Sequence, residues 1–234
     1  LGTDKATAAT ISLVGNGSDQ GGSGVRILAG SADAPNLSTI AGDISDRGTG
    51  GNGTSSGYRG VYLANGYIES KGTTKDNAGE ISIVGVGGNG TSQLIGVDIR
   101  QSQSDIVSVA GDISIVGTAG DSLGTQNWGV QIQDGSLIQS TGTNAEAADI
   151  DIVGTSQSSW GVYVNSGRVE TTAGNVNLTA AGIGNGSTDD LFIAGSSVLG
   201  GPTAVGDIQI DADAIGMLAP ARVHTAGNVT LQPR

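Results

Sequence analysis

The stretch Ala110-Gly111-Asp112-Ile113-Ser114-Ile115 carries the pattern that decides the fold. A small residue and a glycine precede an acid or asparagine, and two aliphatic residues then flank one further residue. Related copies begin at residues 41, 78, 147, 173, 205 and 226, and Ile11-Ser12-Leu13 is taken as the first copy. The first aliphatic residues lie at positions 11, 44, 81, 113, 150, 176, 208 and 229, at intervals of 21 to 37 residues. The chain is therefore built from an internal repeat whose period varies.

Two further short segments lie within most periods. One begins Gly-Val and occupies residues 24–27, 60–63, 96–99, 129–132 and 161–164, with Leu191-Phe192-Ile193 as a sixth version. The other precedes the next Ala-Gly turn and occupies residues 67–70, 137–140, 168–171 and 222–225. Apolar and other residues alternate in these segments, which is typical of β-strands.

Three short strands per period predict an all-β fold, a three-sided parallel β-helix (β-solenoid) of about seven to eight coils. Coils stacked at about 4.8 Å would form a rod of roughly 35 Å. The variable coil length favours the right-handed form, and we expect the extra residues mostly between strands one and two. We expect residues 1–234 to form a single β-solenoid segment of a longer or polymerised array.

The composition excludes several classes of protein. Glycine makes up 42 of 234 residues, but proline only 4 and without a three-residue period, which argues against collagen. No apolar run approaches the roughly 18 residues of a membrane-spanning helix. A net charge of −12 disfavours nucleic acids and anionic lipid as partners, and the lack of cysteine excludes thiol chemistry. We expect no nucleic-acid partner and no membrane insertion.

The repeat resembles that of a known family. Ala173-Gly174-Asn175-Val176-Asn177-Leu178-Thr179 and Thr225-Ala226-Gly227-Asn228-Val229-Thr230-Leu231 are similar to the repeats of filamentous-haemagglutinin-type bacterial exoproteins, which leave the cell by two-partner secretion or as related autotransporters. The resemblance implies a right-handed β-helical shaft that is secreted and lies outside the cell or on its surface. It implies roles in adhesion, biofilm or filament formation. The secretion-recognition domain of that family is not evident.

The expected function is thus that of an extracellular structural shaft of a surface adhesin or fibre. One alternative is a self-assembling, head-to-tail fibre subunit, and another is a carbohydrate-binding or carbohydrate-active β-helix module. The expected partners are copies of the chain end to end or flanking repeats, and surface glycans. We do not expect an enzyme, because the single histidine, His224, lies on an outward strand position and the acidic pairs align with no basic cluster.

One repeat position carries a column of acids. Its members are Asp43, Glu80, Asp112, Asp149 and Asp207. Carboxylates about 5 Å apart repel, so Ca²⁺ is one candidate for bridging them. The favoured interpretation is that each side chain caps its own turn by accepting hydrogen bonds from backbone N–H groups. No other cofactor is expected.

Asn-Gly-Ser/Thr follows strand one in four coils. The asparagines are Asn16, Asn52, Asn89 and Asn185. Asn-Gly favours a tight turn, and this is the favoured interpretation. The triplet is also an acceptor sequence for N-glycosylation.

Aromatic residues cluster around strand two. Tyr62 and Tyr163 occupy its outward position three coils apart, and Trp128 and Trp160 each precede the glycine that opens it. These four residues are candidates for a surface that contacts sugar rings or a neighbouring rod. The alternative is that they only shield the strand edge or the loop base.

Overall fold

The computed structural model describes residues 5, 7–18, 22–31, 34–122, 124–182 and 189–234. Within those ranges the ordered elements are β-strands, and no helix occurs. The strands are β1 (Ile11–Asn16), β2 (Val25–Leu28), β3 (Leu37–Thr39), β4 (Ile44–Thr49), β5 (Val61–Ala64), β6 (Tyr67–Ser70), β7 (Ile81–Val86), β8 (Val97–Arg100), β9 (Asp105–Ser108), β10 (Ile113–Thr118), β11 (Val130–Gln133), β12 (Leu137–Ser140), β13 (Ile150–Ser156), β14 (Val162–Asn165), β15 (Arg168–Thr171), β16 (Val176–Gly182), β17 (Leu191–Ala194), β18 (Val198–Gly200), β19 (Ile208–Asp211), β20 (Ile215–Met217), β21 (Arg222–His224) and β22 (Val229–Gln232).

The strands form three parallel sheets, which confirms the three-sided β-helix. The first sheet has the order β1-β4-β7-β10-β13-β16-β19-β22, and the second has β2-β5-β8-β11-β14-β17-β20. The third runs β3-β6-β9-β12-β15-β18-β21. Each sheet takes every third strand of the chain, so each coil contributes one strand to each side, over about seven to eight coils.

The repeat positions form straight columns along the first sheet. Neighbouring residues in one column are Ile11, Ile44, Ile81, Ile113, Ile150, Val176, Ile208 and Val229. These are the eight positions that the sequence pattern predicts. The interval between copies therefore varies because of the connections between strands, while the strand register stays fixed.

The interior consists of aliphatic columns with few breaks. Ile81, Ile113 and Ile150 have no exposed surface. A second inward column of the first sheet runs from Leu13 to Leu231 and is aliphatic at every coil except the second, where Asp46 replaces the aliphatic residue. The narrow interior explains why so few aromatic residues are present.

Hydroxyl groups close the corner between the third and first sheets. Ser70 Oγ donates to the Gly79 carbonyl at 2.6 Å, and Thr171 Oγ1 donates to the Gly174 carbonyl at 2.7 Å. These carbonyls belong to the Ala-Gly turns of the repeat. A buried carbonyl without a donor costs free energy, so Ser70 and Thr171 stabilise their turns. The equivalent hydroxyl of Ser140 has no hydrogen-bond partner in the described residues.

Longer connections occur both between strands one and two and between strand three and the next strand one. The sequence analysis expected them mostly between strands one and two. Residues 87–96 between β7 and β8 follow the expectation, since they connect strands one and two. Residues 71–80 and 141–149 instead connect strand three to the next strand one. The Lys75 backbone N–H donates to Glu146 Oε2 at 2.9 Å and joins these two connections across two coils.

Candidate functional site

Four aromatic rings form one continuous stack beside the second sheet. The ring centroids of Trp128 and Tyr163 are 4.5 Å apart, those of Tyr163 and Trp160 are 4.9 Å apart, and those of Trp160 and Phe192 are 4.6 Å apart. The planes of successive rings differ by 28°, 11° and 12°. Near-parallel rings at these distances are in the range of favourable aromatic contacts.

The coil register creates this stack. Tyr163 of β14 and Phe192 of β17 are direct neighbours in the second sheet. Trp128 and Trp160 occupy equivalent positions one coil apart, each before the glycine that precedes strand two. Coils about 4.8 Å apart bring equivalent side chains within ring-stacking distance. The structure thus brings together three of the four predicted aromatic residues and adds Phe192, which the sequence analysis treated only as part of a strand.

A groove of about 320 Å³ lies against this stack. Its lining residues are Thr125, Gln126, Trp128, Ser158, Ser159, Trp160 and Tyr163. The lining combines three aromatic rings with hydroxyl and amide groups and includes no charged side chain. We call it the aromatic groove. Small-molecule sites share this combination of apolar surface and a few placed polar groups.

Asn127 fixes the walls of the aromatic groove. Its side chain has no exposed surface. Asn127 Oδ1 accepts from the Leu94 backbone N–H at 3.1 Å, and Nδ2 donates to the Gly124 carbonyl at 3.0 Å and to Ser158 Oγ at 3.2 Å. Ser156 Oγ donates to the Asn127 carbonyl at 2.6 Å. These bonds connect three successive coils, so the loops on both sides of the groove are held in place.

The polar atoms of the aromatic residues are in unusual environments. Burial raises the pKa of the Tyr163 phenol above its ordinary value of 10.0, so the hydroxyl stays protonated at neutral pH. The Trp128 side chain is only 7% exposed, and its indole N–H has no hydrogen-bond acceptor in the described part of the chain. The groove is therefore lined by neutral groups, one of them a buried donor that lacks a partner.

Tyr62 lies apart from the stack, in an arginine cluster. The guanidinium carbons of Arg59, Arg100 and Arg26 lie 4.8, 5.6 and 5.8 Å from the centre of the Tyr62 ring. Asp98, which has no exposed surface, pairs with Arg59 and accepts from Arg100 Nε at 2.9 Å. The four predicted contact residues thus divide into an arginine-bound tyrosine and the members of the aromatic groove.

The acid column caps turns of the coil that follows. Asp43 Oδ1 accepts from the Glu80 backbone N–H at 2.9 Å, and Asp112 Oδ1 accepts from the Asp149 N–H at 2.9 Å. Asp149 Oδ1 accepts from the Asn175 N–H at 2.7 Å. Asp207 Oδ1 accepts from the Asn228 N–H at 2.8 Å in the same way. Four of the five side chains therefore connect adjacent coils and do not close their own turns, while Glu80 accepts a hydrogen bond from Lys5 Nζ.

Lysine side chains supply positive charge along this column. Lys5 Nζ lies 2.9 Å from Glu80 and 4.0 Å from Asp43. Lys75 Nζ lies 3.3 Å from Asp112 and 3.6 Å from Asp149. Across residues 5, 7–18, 22–31, 34–122, 124–182 and 189–234, no group of three or more acidic, histidine or cysteine side chains is placed to hold a metal ion. The geometry gives no support to the hypothesis that Ca²⁺ bridges the acid column, and that hypothesis stays untested.

The described glycosylation triplets begin at the last residue of β1 and in the connections that follow β4 and β7. Asn16, Asn52 and Asn89 are exposed, and Asn185 lies outside the described residues. Asn52 Oδ1 accepts from the Asn89 backbone N–H at 3.2 Å, a bond between successive coils, and neither asparagine has the positive φ on which the tight-turn interpretation rested. Glycosylation of these asparagines remains a prediction.

Asp190, the acidic residue directly before β17, accepts backbone hydrogen bonds. Asp190 is buried, and its carboxylate accepts from the backbone N–H groups of Gly182 at 2.7 Å and Asp213 at 2.8 Å. His224 Nδ1 lies 2.8 Å from the Gly201 carbonyl. These contacts hold neighbouring connections together. The described residues also contain no helix that is long and apolar enough to cross a membrane.

No protein-family model, curated protein or solved structure matches the chain. The parallel coils place it among β-helical proteins by architecture. Its function is therefore inferred from its own geometry.

Proposed function

We propose that the chain is an extracellular structural segment, the β-helical shaft of a filamentous-haemagglutinin-type bacterial surface adhesin or fibre. The observation that supports this proposal is the unbroken register of the first sheet through all eight of its strands. A shaft must keep one cross-section along its length, and parallel coils with constant register do this. The family resemblance of the repeat supports the extracellular location.

The shaft derives its stiffness from bonds between neighbouring coils. Every strand pairs with the strand one coil away, and side chains such as Asp149 add a further bond from coil to coil. Stability in such an array is close to a sum of coil and interface contributions. The interior needs no disulfide, which agrees with the lack of cysteine.

Further coils are the proposed partner of the shaft, as flanking repeats or as other copies in a head-to-tail fibre. Coils that repeat one register present the same kind of strand edge at every step. A further coil or a second copy would extend each sheet by the pairing that the coils already use. Electron microscopy of the purified chain distinguishes fibres from separate short rods.

Antibody labelling tests the extracellular shaft. Antibodies raised against the folded chain should bind intact, unpermeabilised cells of the source bacterium, and gold particles should lie on material that projects from the envelope. An antibody against a cytoplasmic protein serves as the control for cell integrity. Labelling only after permeabilisation would contradict the proposal.

A further inference from the structure

We propose that the aromatic groove is a binding site for a neutral glycan, with the rings of Trp160 and Tyr163 as its apolar surface. This inference goes beyond the shaft function and does not depend on it. It rests on the lining of the groove and on the fixed position of its walls.

The chemistry of the lining matches that of a sugar ring. A pyranose has apolar C–H surfaces and hydroxyl groups that both donate and accept hydrogen bonds. The half-buried rings of Trp160 and Tyr163 offer apolar surface, and Thr125, Gln126 and Ser159 offer hydroxyl and amide groups beside it. A purely apolar ligand would displace water from the Thr125 and Ser159 hydroxyls without replacing its hydrogen bonds, which is unfavourable.

The charge distribution favours a neutral glycan over an acidic one. The chain has a net charge of −12, and the groove lining contains no lysine or arginine. The nearest arginine cluster on this sheet surrounds Tyr62, and two of its members, Arg59 and Arg100, are engaged by the buried Asp98. An acidic sugar at the groove would lose hydration without gaining a cation.

The size of the groove also separates a glycan from a protein partner. About 320 Å³ is near the lower end of small-molecule sites. A stable protein interface buries roughly 800 Å² on each partner, which needs a far larger continuous surface. The ligand that fits is therefore a small number of sugar residues.

Two features prepare the groove for a ligand. Asn127 holds both walls through buried hydrogen bonds, so little ordering is needed on binding. The Trp128 ring also lines the groove and is only 7% exposed, so packing holds it in position before a ligand binds.

Tryptophan fluorescence reports directly on this site. The chain contains two tryptophans, Trp128 and Trp160, and both line the groove. The folded chain would be titrated with gluco-, manno- and galacto-oligosaccharides, and with an oligogalacturonate as the acidic comparison. We expect a saturable change with at least one neutral oligosaccharide and a weaker or absent change with the oligogalacturonate. No saturable change with any neutral oligosaccharide, or equal affinity for the acidic one, would overturn the proposal.

Paired variants locate the binding. Trp160→Ala removes one ring and leaves Trp128 as the reporter, and we expect affinity to fall about tenfold or more. Tyr62→Ala is the matched control, since Tyr62 holds the equivalent strand position three coils away, and it should leave affinity unchanged. Thr125→Arg fills the exposed rim and should abolish binding even if Trp160→Ala unfolds the coil. Unchanged affinity in Thr125→Arg would place the ligand elsewhere.

Discussion

The carboxyl group of Asp46 lies directly next to Ile83 in the inward column of the first sheet. Asp46 has no exposed surface, and neither of its oxygens has a hydrogen-bond partner in the described residues. Burial raises its pKa from 3.8 to about 7. The second coil therefore contains a buried carboxyl group without a hydrogen-bond partner, and its cost to stability is larger when it is ionised than when it is protonated.

Asp46→Leu should stabilise the protein at neutral pH. Because the native pKa is raised, the free-energy cost of ionising Asp46 in the folded protein is absent below about pH 4. This cost grows as pH rises and is complete above about pH 7. A difference of about three pH units corresponds to about 4 kcal/mol. Urea unfolding of the wild type and Asp46→Leu at pH 4 and pH 8 measures the difference in their free energies of unfolding. An equal gain at both pH values, or none at pH 8, would contradict this assignment.

Gly117→Ala should destabilise the fourth coil by about 3 kcal/mol, because a Cβ at this position would lie 2.0 Å from the Gly129 carbonyl oxygen. Ala180 holds the equivalent column position in β16. Ala180→Gly is therefore the matched control and should cost less, about 1 kcal/mol. Thermal unfolding of both variants compares them, and a wild-type melting curve for Gly117→Ala would show that the coils pack less closely here.

Asp149→Ala should cost about 1 kcal/mol, because the Asn175 N–H loses its acceptor. Asp149→Asn should keep most of the stability, since Asn175 itself caps the Asp207 N–H at 2.9 Å with an amide oxygen. Unfolding curves of the two variants separate the cap from the charge. Equal losses in both would show that the charge is the important property.

Calcium removal should leave the melting temperature unchanged, because lysine side chains already neutralise part of the acid column. The test compares the melting temperature in EDTA with the melting temperature in millimolar Ca²⁺. A rise of several degrees with Ca²⁺ that is lost in Asp112→Asn would instead establish a bridging ion.

The sequence predicts the first sheet well because six of its eight strands carry two inward aliphatic residues after an acid or asparagine. It misses β3, β9 and β18, in which one aliphatic residue such as Leu37, Ile106 or Leu199 points inward. One inward aliphatic residue is a weak pattern, and β6, β12 and β15 share it, so the sequence identifies only some strands of the third sheet. It also misses β20, where Ile215-Gly216-Met217 lacks the Gly-Val opening.

The candidate site depends on neighbours from other coils, which sequence position alone does not reveal. Tyr62 and Tyr163 hold equivalent places on strand two. Their surroundings differ because Arg59 precedes one and Trp160 precedes the other. Phe192 joins the stack through the register of β14 and β17. The pattern of the repeat thus predicts the columns, and the residues in adjacent columns decide what the surface can bind.

The rod, the groove and the shaft all depend on the register between coils, and paired cysteines test it most directly. The chain has no natural cysteine. Ser45 and Ser82 are neighbours in the first sheet, and Ser114 lies one coil further. Coils about 4.8 Å apart place the first pair within disulfide range and put Ser45 and Ser114 beyond it. Under mild oxidation, Ser45→Cys with Ser82→Cys should form an intramolecular disulfide, and Ser45→Cys with Ser114→Cys should not. Efficient bonding of the second pair, or none of the first, would contradict the β-helix and the functions proposed for it.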